Sequence, residues 1–388
     1  MKYSYYMDVL SPLHIGNGAK LEPLEYVVLP ERKKFYRLDM NKLFASPSFN
    51  LESFVRGSKN RNFSAATMIG RNINIEEFAV YSLSIPDAEA RLLERNKGQV
   101  QEMIKECGRP YLPGSSLKGA LRTSLLASFL AADSFRNEYE EEIYNSLQET
   151  VRLRREERNK KKKFFSYEAE SSLLGGTNYC LMRALQVSDS STVNSNEMAV
   201  YAIKVVSPKR DGYAWKILGR GGGTTDNPDQ ATTSFIEALT PGTQVRGTLK
   251  IDEYLLQDEI DGILGFRGKK FIADLAGCCR RACEEFLRNE ALFYRNLGLQ
   301  PLVLAFDQLL TYSQGLMPNQ FFCQLSWGTG YGAKGVGKVI NRELFASVRD
   351  AFRMGYRDQD FPKTRKIIFQ DGGPLTVPGW VKVTLEGE

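Results

Sequence analysis

Three parts of the sequence carry residue types that could do chemistry. The first is 110–126, Pro-Tyr-Leu-Pro-Gly-Ser-Ser-Leu-Lys-Gly-Ala-Leu-Arg-Thr-Ser-Leu-Leu. Pro113-Gly114 predicts a tight turn, and Ser115 or Ser116 an N-cap, because a serine hydroxyl accepts from a free backbone N–H at a helix start. Leu117, Leu121 and Leu125 recur at helical spacing and should enter a core. Lys118 and Arg122 stand four apart and share another face. Free amides, two hydroxyls and two cations at one helix start suit a phosphate group. On composition alone, a capped amphipathic helix with no ligand accounts for the same pattern.

The second part is 326–338, Ser-Trp-Gly-Thr-Gly-Tyr-Gly-Ala-Lys-Gly-Val-Gly-Lys. Gly330, Gly332 and Gly335 fit G-x-G-x-x-G, but a dinucleotide fold needs a helix opening directly on the third glycine, and Val336-Gly337 intervenes. The spacing from Gly332 to Lys338 fits a P-loop up to its last position, which is Val339 where magnesium requires Ser or Thr. No nucleotide or other cofactor is therefore expected. Close glycines expose backbone N–H groups to a ligand, Tyr331 can stack on a base, and Lys334 and Lys338 can neutralise phosphate, which is how single-stranded RNA is gripped. A surface hairpin using glycines for turn geometry is the alternative. A second glycine cluster, 219–223, places Arg220 in a loop that could add a cation.

The third part is His14, the only histidine. Any imidazole acid–base chemistry must use it, yet Leu13 and Ile15 flank it at alternating spacing, which reads as a structural histidine at a strand end. No Ser-His-Asp set exists without it, and no dense acidic cluster suggests a two-metal nuclease. Cys279 and Cys283 stand four apart on a predicted helix. With one histidine to join them, buried thiols in a reducing compartment are the reading rather than zinc.

The elements that must position these residues follow from periodicity. Strands are predicted over 2–10, 181–187, 244–251 and 319–325, with helices over 115–131 and 269–290. That order is βαββαβ, an α+β, ferredoxin-like arrangement with long insertions and a glycine-rich loop. Further expectations are a hairpin pairing 24–30 with 34–38, and a polar, mostly helical insertion over 46–110. A charged helical arm is expected over 135–163, and a strand over 198–206. Pro241-Gly242 reads as the turn of a hairpin joining 235–239 to 244–251. A closing strand pair of 365–369 with 380–385 completes the set. The division is read as 1–255, a ferredoxin-like domain with helical insertions, and 256–388, an α+β region carrying the glycine loop; the two can interleave.

The chain has 388 residues and a net charge of +6. Residues 151–163 hold eight basic and two acidic side chains, +6 by themselves, so the remainder is balanced. The basic character is thus local, a solvated run that also attracts polyanions. No apolar run has the length of a membrane span and the first residues lack a signal-peptide core, so no membrane partner and a cytoplasmic location are expected.

The string Pro-Gly-Ser-Ser-Leu-Lys-Gly-Ala-Leu-Arg resembles the signature of the RAMP superfamily, RNA-binding subunits of type III CRISPR–Cas effector complexes. The order of 14–18, this string, and then Ser-Trp-Gly-Thr-Gly is similar to the fifth-subunit family of the type III-A Csm complex. The resemblance implies a ferredoxin-like (RRM/RAMP) fold and a non-catalytic subunit capping the far end of the complex. That subunit would hold CRISPR RNA near its 3′ end and assist its maturation. Implied partners are CRISPR RNA, target RNA, the other subunits (above all the repeated backbone RAMP subunit) and a host trimming nuclease. The RNA-contacting residues would be Ser115, Ser116, Lys118, Arg122, Arg220, Gly330, Tyr331, Gly332, Lys334, Gly335 and Lys338. The backbone subunit of such complexes cleaves target RNA with an aspartate after its first strand, and 11–38 contains none here. The competing expectation is a metal-independent endoribonuclease that trims CRISPR RNA through His14.

Overall fold

The tyrosine-rich strand Lys2–Val9 lies at the middle of a five-stranded antiparallel sheet. Its order is Gln320–Gln324, Trp380–Gly387, Lys2–Val9, Gln244–Ile251, Leu185–Val187. The computed structural model describes the chain apart from residues 48, 60–62, 67–73, 163–164, 220, 326, 338 and 356–360. Along Lys2–Val9, Tyr5, Met7 and Val9 are buried at the period of two that puts alternate side chains on one face. They join one core with Leu117, Leu121 and Leu125 of the helix Gly114–Leu130 and with Leu275, Leu287 and Ala291 of the helix Leu275–Leu297. The predicted leucine stripe is thus the buried face of its helix.

A second, mixed sheet is built around Met198–Lys209, which is buried on both faces over most of its length. Continuous burial of this kind marks a strand covered on both sides. It pairs with Ser234–Leu239, with Arg365–Gln370 and, in parallel, with Ala79–Ser84. The hairpin Tyr26–Leu29 with Lys34–Leu38 forms as expected and extends this sheet. On the other side Ser234–Leu239 pairs in parallel with Val100–Met103, which pairs with Gly16–Leu21.

Several expectations need correction. Ser234–Leu239 and Gln244–Ile251 are not a hairpin but members of different sheets. The first is buried at nearly every position and the second at alternate ones, so they answer to different layers. For the same reason 365–369 and 380–385 do not pair with each other. Arg365–Gln370 belongs to the second sheet and Trp380–Gly387 to the first. Trp380–Gly387 also takes the place beside Lys2–Val9, which leaves Gln320–Gln324 at the edge. The stretch 46–110 supplies two strands of the second sheet and a two-stranded ladder, Lys105–Glu106 with Arg109–Pro110, as well as helices. Within 181–187 only Leu185–Val187 is a strand, following a 3-10 turn. The long helix breaks at Asp274, whose ψ of 43° ends Lys269–Ala273 before Leu275–Leu297 begins. Strands from both sides of residue 255 share the five-stranded sheet, an interleaving that the sequence reading left open. Among the described residues, no helix is long and apolar enough to cross a membrane.

Candidate nucleic-acid interface

The helix carrying the first motif starts at Gly114 because the sequence before it is held extended. Ser190 N–H donates to the Leu112 carbonyl at 2.9 Å, and Val193 N–H to that of Pro110 at 2.9 Å. Gly114 N–H donates to Asp189 Oδ1 at 2.7 Å. A Cβ at Gly114 would lie 2.4 Å from the carbonyl oxygens of Val187 and Ser188, so the glycine permits this close approach. The N-cap is Pro113, with no side-chain cap of its own. Ser115 and Ser116 therefore do not cap the helix; the acceptor comes from Asp189 instead. Both serines fall in the first turn and face a groove.

That groove, of about 680 Å³, forms where three distant segments converge. One wall is the motif helix, with Ser115, Ser116, Gly119 and Arg122; another is the 14–20 segment, with Lys20; the third is Trp327, Ala333 and Lys334 of the glycine loop. Backbone bonds fix the junction: Trp327 N–H donates to the His14 carbonyl at 2.9 Å, and Gly379 N–H to that of Pro12 at 3.0 Å. The groove thus carries hydroxyls, an exposed helical glycine and cations from different parts of the chain, a set suited to a phosphodiester backbone.

The predicted residues divide. Lys118, though four residues from Arg122, does not line the groove; partial burial lowers its pKa. Arg122 does line it, but its guanidinium is ion-paired with Glu170. Lys334 lines it too, its pKa lowered by burial. Tyr331 is engaged within the chain: its ring stacks on Phe345 at 5.8 Å and lies 6.1 Å from Phe361. The loop is not a hairpin there, since Tyr331–Lys334 is one helical turn with Gly330 at its N-cap, φ 82°. Gly332 and Gly335 line a smaller cavity beneath that turn, and Gly335 is extended, φ −138°. Positive φ in this loop is found at Gly328 and Gly330. Arg220 and Lys338 lie outside the described residues. The described part of the basic run, 151–162, ends the helix Asp133–Arg152 and contains all of Arg155–Lys161, and none of it lines the groove. Its Arg158 donates to the carbonyls of Val151, Leu153 and Ala351.

His14 is 1% exposed at the groove floor. Its Nδ1 lies 2.6 Å from the Glu237 carbonyl oxygen, which can only accept, so Nδ1 carries the proton. Burial drives its pKa down to about 4, and Lys105 and Lys366 push the same way against the Glu237 bond. The imidazole is neutral at pH 7. Glu237 is itself fully buried, accepting from Lys105 Nζ at 2.5 Å, Tyr81 Oη at 2.6 Å and Met103 N–H at 3.0 Å. This network anchors the strand behind His14. Of the paired cysteines, Cys279 is buried and Cys283 half-buried, and burial pushes both thiols up.

Sequence reading did not single out the groove-lining residues Lys20, Gly119 and Trp327, nor Lys366, which lies over Trp327. Trp327 and Gly119 stood inside recognised motifs but had no assigned role. Lys366 gave no signal at all: it is an ordinary position of a strand, and only the fold brings it over Trp327.

A family model described as the RAMP superfamily matches residues 6–296. Over 129 residues the chain is 34% identical to the CRISPR system Cms protein Csm5 of Streptococcus thermophilus, a stretch covering 30% of this chain and 36% of that protein. It is 26% identical to the CRISPR system Cms protein Csm5 of Mycobacterium tuberculosis, covering 92% of this chain and 88% of that one. Among solved structures, a chain of a cryo-EM Csm–crRNA–target RNA ternary complex of a type III-A CRISPR–Cas system superposes with a TM-score of 0.71. It is 22% identical, with 99% of this chain and 100% of that one covered. The crystal structure of T. onnurineus Csm5 gives a TM-score of 0.60 at 20% identity, covering 97% and 99%. At such identities the structural likeness is one of fold.

Proposed function

The chain belongs to the RAMP superfamily, and from that premise we propose that it is the Csm5-type subunit of a type III-A CRISPR complex in the cytoplasm. In this role it binds CRISPR RNA near the 3′ end, caps the assembly there and assists maturation of that RNA without cutting it. The five-stranded sheet is read as a ferredoxin-like unit, with Trp380–Gly387 in the fourth-strand place and Gln320–Gln324 added at the edge. The partners are CRISPR RNA, target RNA, the sister subunits and a recruited trimming nuclease.

The observation that carries this reading is the groove in which the 14–20 segment, the motif helix and the glycine loop meet. All three are the motifs on which the family resemblance rests, and the same groove gathers Lys20, Arg122 and Lys334. Electrostatic contact with phosphates supplies sequence-independent affinity, as a subunit that must accept any spacer sequence requires. The test is reconstitution: the chain is co-expressed with its complex and CRISPR RNA, with and without Lys20→Ala/Lys334→Ala. The expected result is loss of RNA at the 3′ end and of trimmed species in the double variant. Unchanged RNA length and unchanged subunit stoichiometry would overturn the reading.

A further inference from the structure

The basic run that the groove leaves unused holds the net charge of the molecule. Residues 151–163 carry +6, equal to the net charge of the whole chain, so the balanced remainder leaves the long-range field to this one place. In the fold its centre is the helix Arg155–Lys161, which contains no apolar residue and none that is buried. A helix that is polar all round needs an anchor from outside itself, and Arg158 provides one. Its guanidinium donates to the carbonyls of Val151 and Leu153 at 3.1 Å each and of Ala351 at 3.4 Å, at the C-terminal ends of Asp133–Arg152 and Arg342–Ala351. Lys161 pairs with Glu149 at 2.7 Å. Just beyond the helix, Phe165 packs edge-on against Phe352 with 4.9 Å between ring centres. The outward cations Arg154, Arg155, Lys160 and Lys162 are exposed and have no carboxylate partner among the described residues.

We infer that this helix is a second RNA-backbone site, which takes the phosphates of a single strand after it leaves the groove. The inference rests on the RNA-binding reading above and extends it to a separate surface. Four unpaired cations on an anchored helix meet phosphates without the cost of first ordering the chain that carries them. A protein partner is the poorer match. Protein interfaces are enriched in aromatic residues and depleted in lysine, and this helix has no apolar side chain to bury in one. The fold also sets the run beside the groove. Arg122 at the groove edge pairs with Glu170 of the helix Tyr167–Leu174, and Glu168 of the same helix accepts from Ser146 Oγ at 3.1 Å. Arg152 then lies about 9 Å beyond Ser146 along Asp133–Arg152.

The affinity of the full-length chain for oligouridylates of about five and about fifteen nucleotides, which bracket the span of one compact single-strand site, is measured by fluorescence anisotropy over a salt series. Arg154→Gln/Arg155→Gln/Lys160→Gln/Lys162→Gln should leave binding of the short RNA unchanged. It should weaken binding of the long RNA and lower its salt slope by about 2.8, four contacts at about 0.7 each. Lys20→Ala/Lys334→Ala should weaken both lengths. A footprint on the wild-type chain keeps the test open should the quadruple variant not fold: acetylation of Lys160 and Lys162, read by mass spectrometry, should be suppressed by the long RNA and not by the short one. Acetylation that the long RNA leaves unchanged, with equal affinity and salt slope in variant and wild type, would overturn the inference while leaving the groove as the RNA site. A variant that keeps its affinity for long RNA but drops out of the reconstituted complex would overturn it in favour of an acidic face on a sister subunit. Wild-type chain that binds neither RNA would sink the RNA-binding reading as well.

Discussion

Lys366 Nζ lies 3.2 Å from the centre of the Trp327 ring, on a strand of the second sheet that reaches over the glycine loop. The indole face attracts the ammonium, while burial first and the neighbouring Lys334 second lower its pKa to about 8. Below pH 8 the group is a cation and above it is neutral. RNA affinity should therefore fall as pH rises from 7 to 9, measured by fluorescence anisotropy. Lys366→Met should remove that dependence and reduce the salt slope by about 0.7, the value for one phosphate contact of a single strand. A wild-type affinity that stays level over this range would show that Lys366 does not face the RNA.

Glu170 holds the Arg122 guanidinium at the edge of the groove. Glu170 also accepts from Ser166 Oγ at 2.7 Å, so the carboxylate is itself positioned. It occupies the cation that a phosphate would use. Glu170→Gln should tighten RNA binding and steepen its salt dependence, again by about 0.7. In a double-mutant cycle, adding Arg122→Ala to wild type and to Glu170→Gln should leave the two with equal affinity. Equal affinity of Glu170→Gln and wild type with Arg122 in place would assign the pair to structure alone.

Gly119 is an exposed glycine in the middle of a helix, and a Cβ built there meets nothing within 4 Å. The chain itself thus gives no steric reason for it, although glycine costs a helix roughly 0.5–1 kcal/mol relative to alanine. Gly119→Ala should raise the melting temperature. Gly119→Leu, whose side chain would project into the groove, should fold normally and weaken RNA binding. Full RNA affinity in Gly119→Leu would place the RNA away from this wall.

His14 stays neutral in the native chain down to a pH of about 4, whereas an unfolded histidine titrates near 6.5. Above 6.5 neither state binds the proton. As pH falls from 6.5 to 4, only the unfolded state takes it up, so stability should decline by up to about 3 kcal/mol and then level off. Unfolding midpoints across this range should show the decline in wild type and a smaller one in His14→Gln. A neutral, buried imidazole donating Nδ1–H to a backbone carbonyl is a poor general acid at pH 7. The isolated chain should leave CRISPR RNA uncut with or without Mg²⁺. Cleavage at fixed positions that His14→Gln abolishes would make this a ribonuclease.

Local patterns were enough to place most of the first sheet and its two helices. Lys2–Val9, Gln244–Ile251 and the leucine stripe of Gly114–Leu130 show a period of two or of three to four, and each buried face follows from that period. The sequence also identified the three motifs that border the groove, because glycines, serines and cations at short spacing are properties of neighbouring residues. What it could not decide was which strand lies beside which. Ser234–Leu239 follows a turn signal into Gln244–Ile251, yet the two enter different sheets, since pairing is set by which apolar faces meet across the core and not by the turn between them. The same holds at the site. Arg122 reads as a free cation until Glu170 is brought against it, Tyr331 as a free ring until Phe345 covers it, and Lys366 as nothing in particular until the second sheet carries it over Trp327. Those partners are far apart along the chain, and long-range packing alone determines whether a side chain is available to a ligand or already engaged.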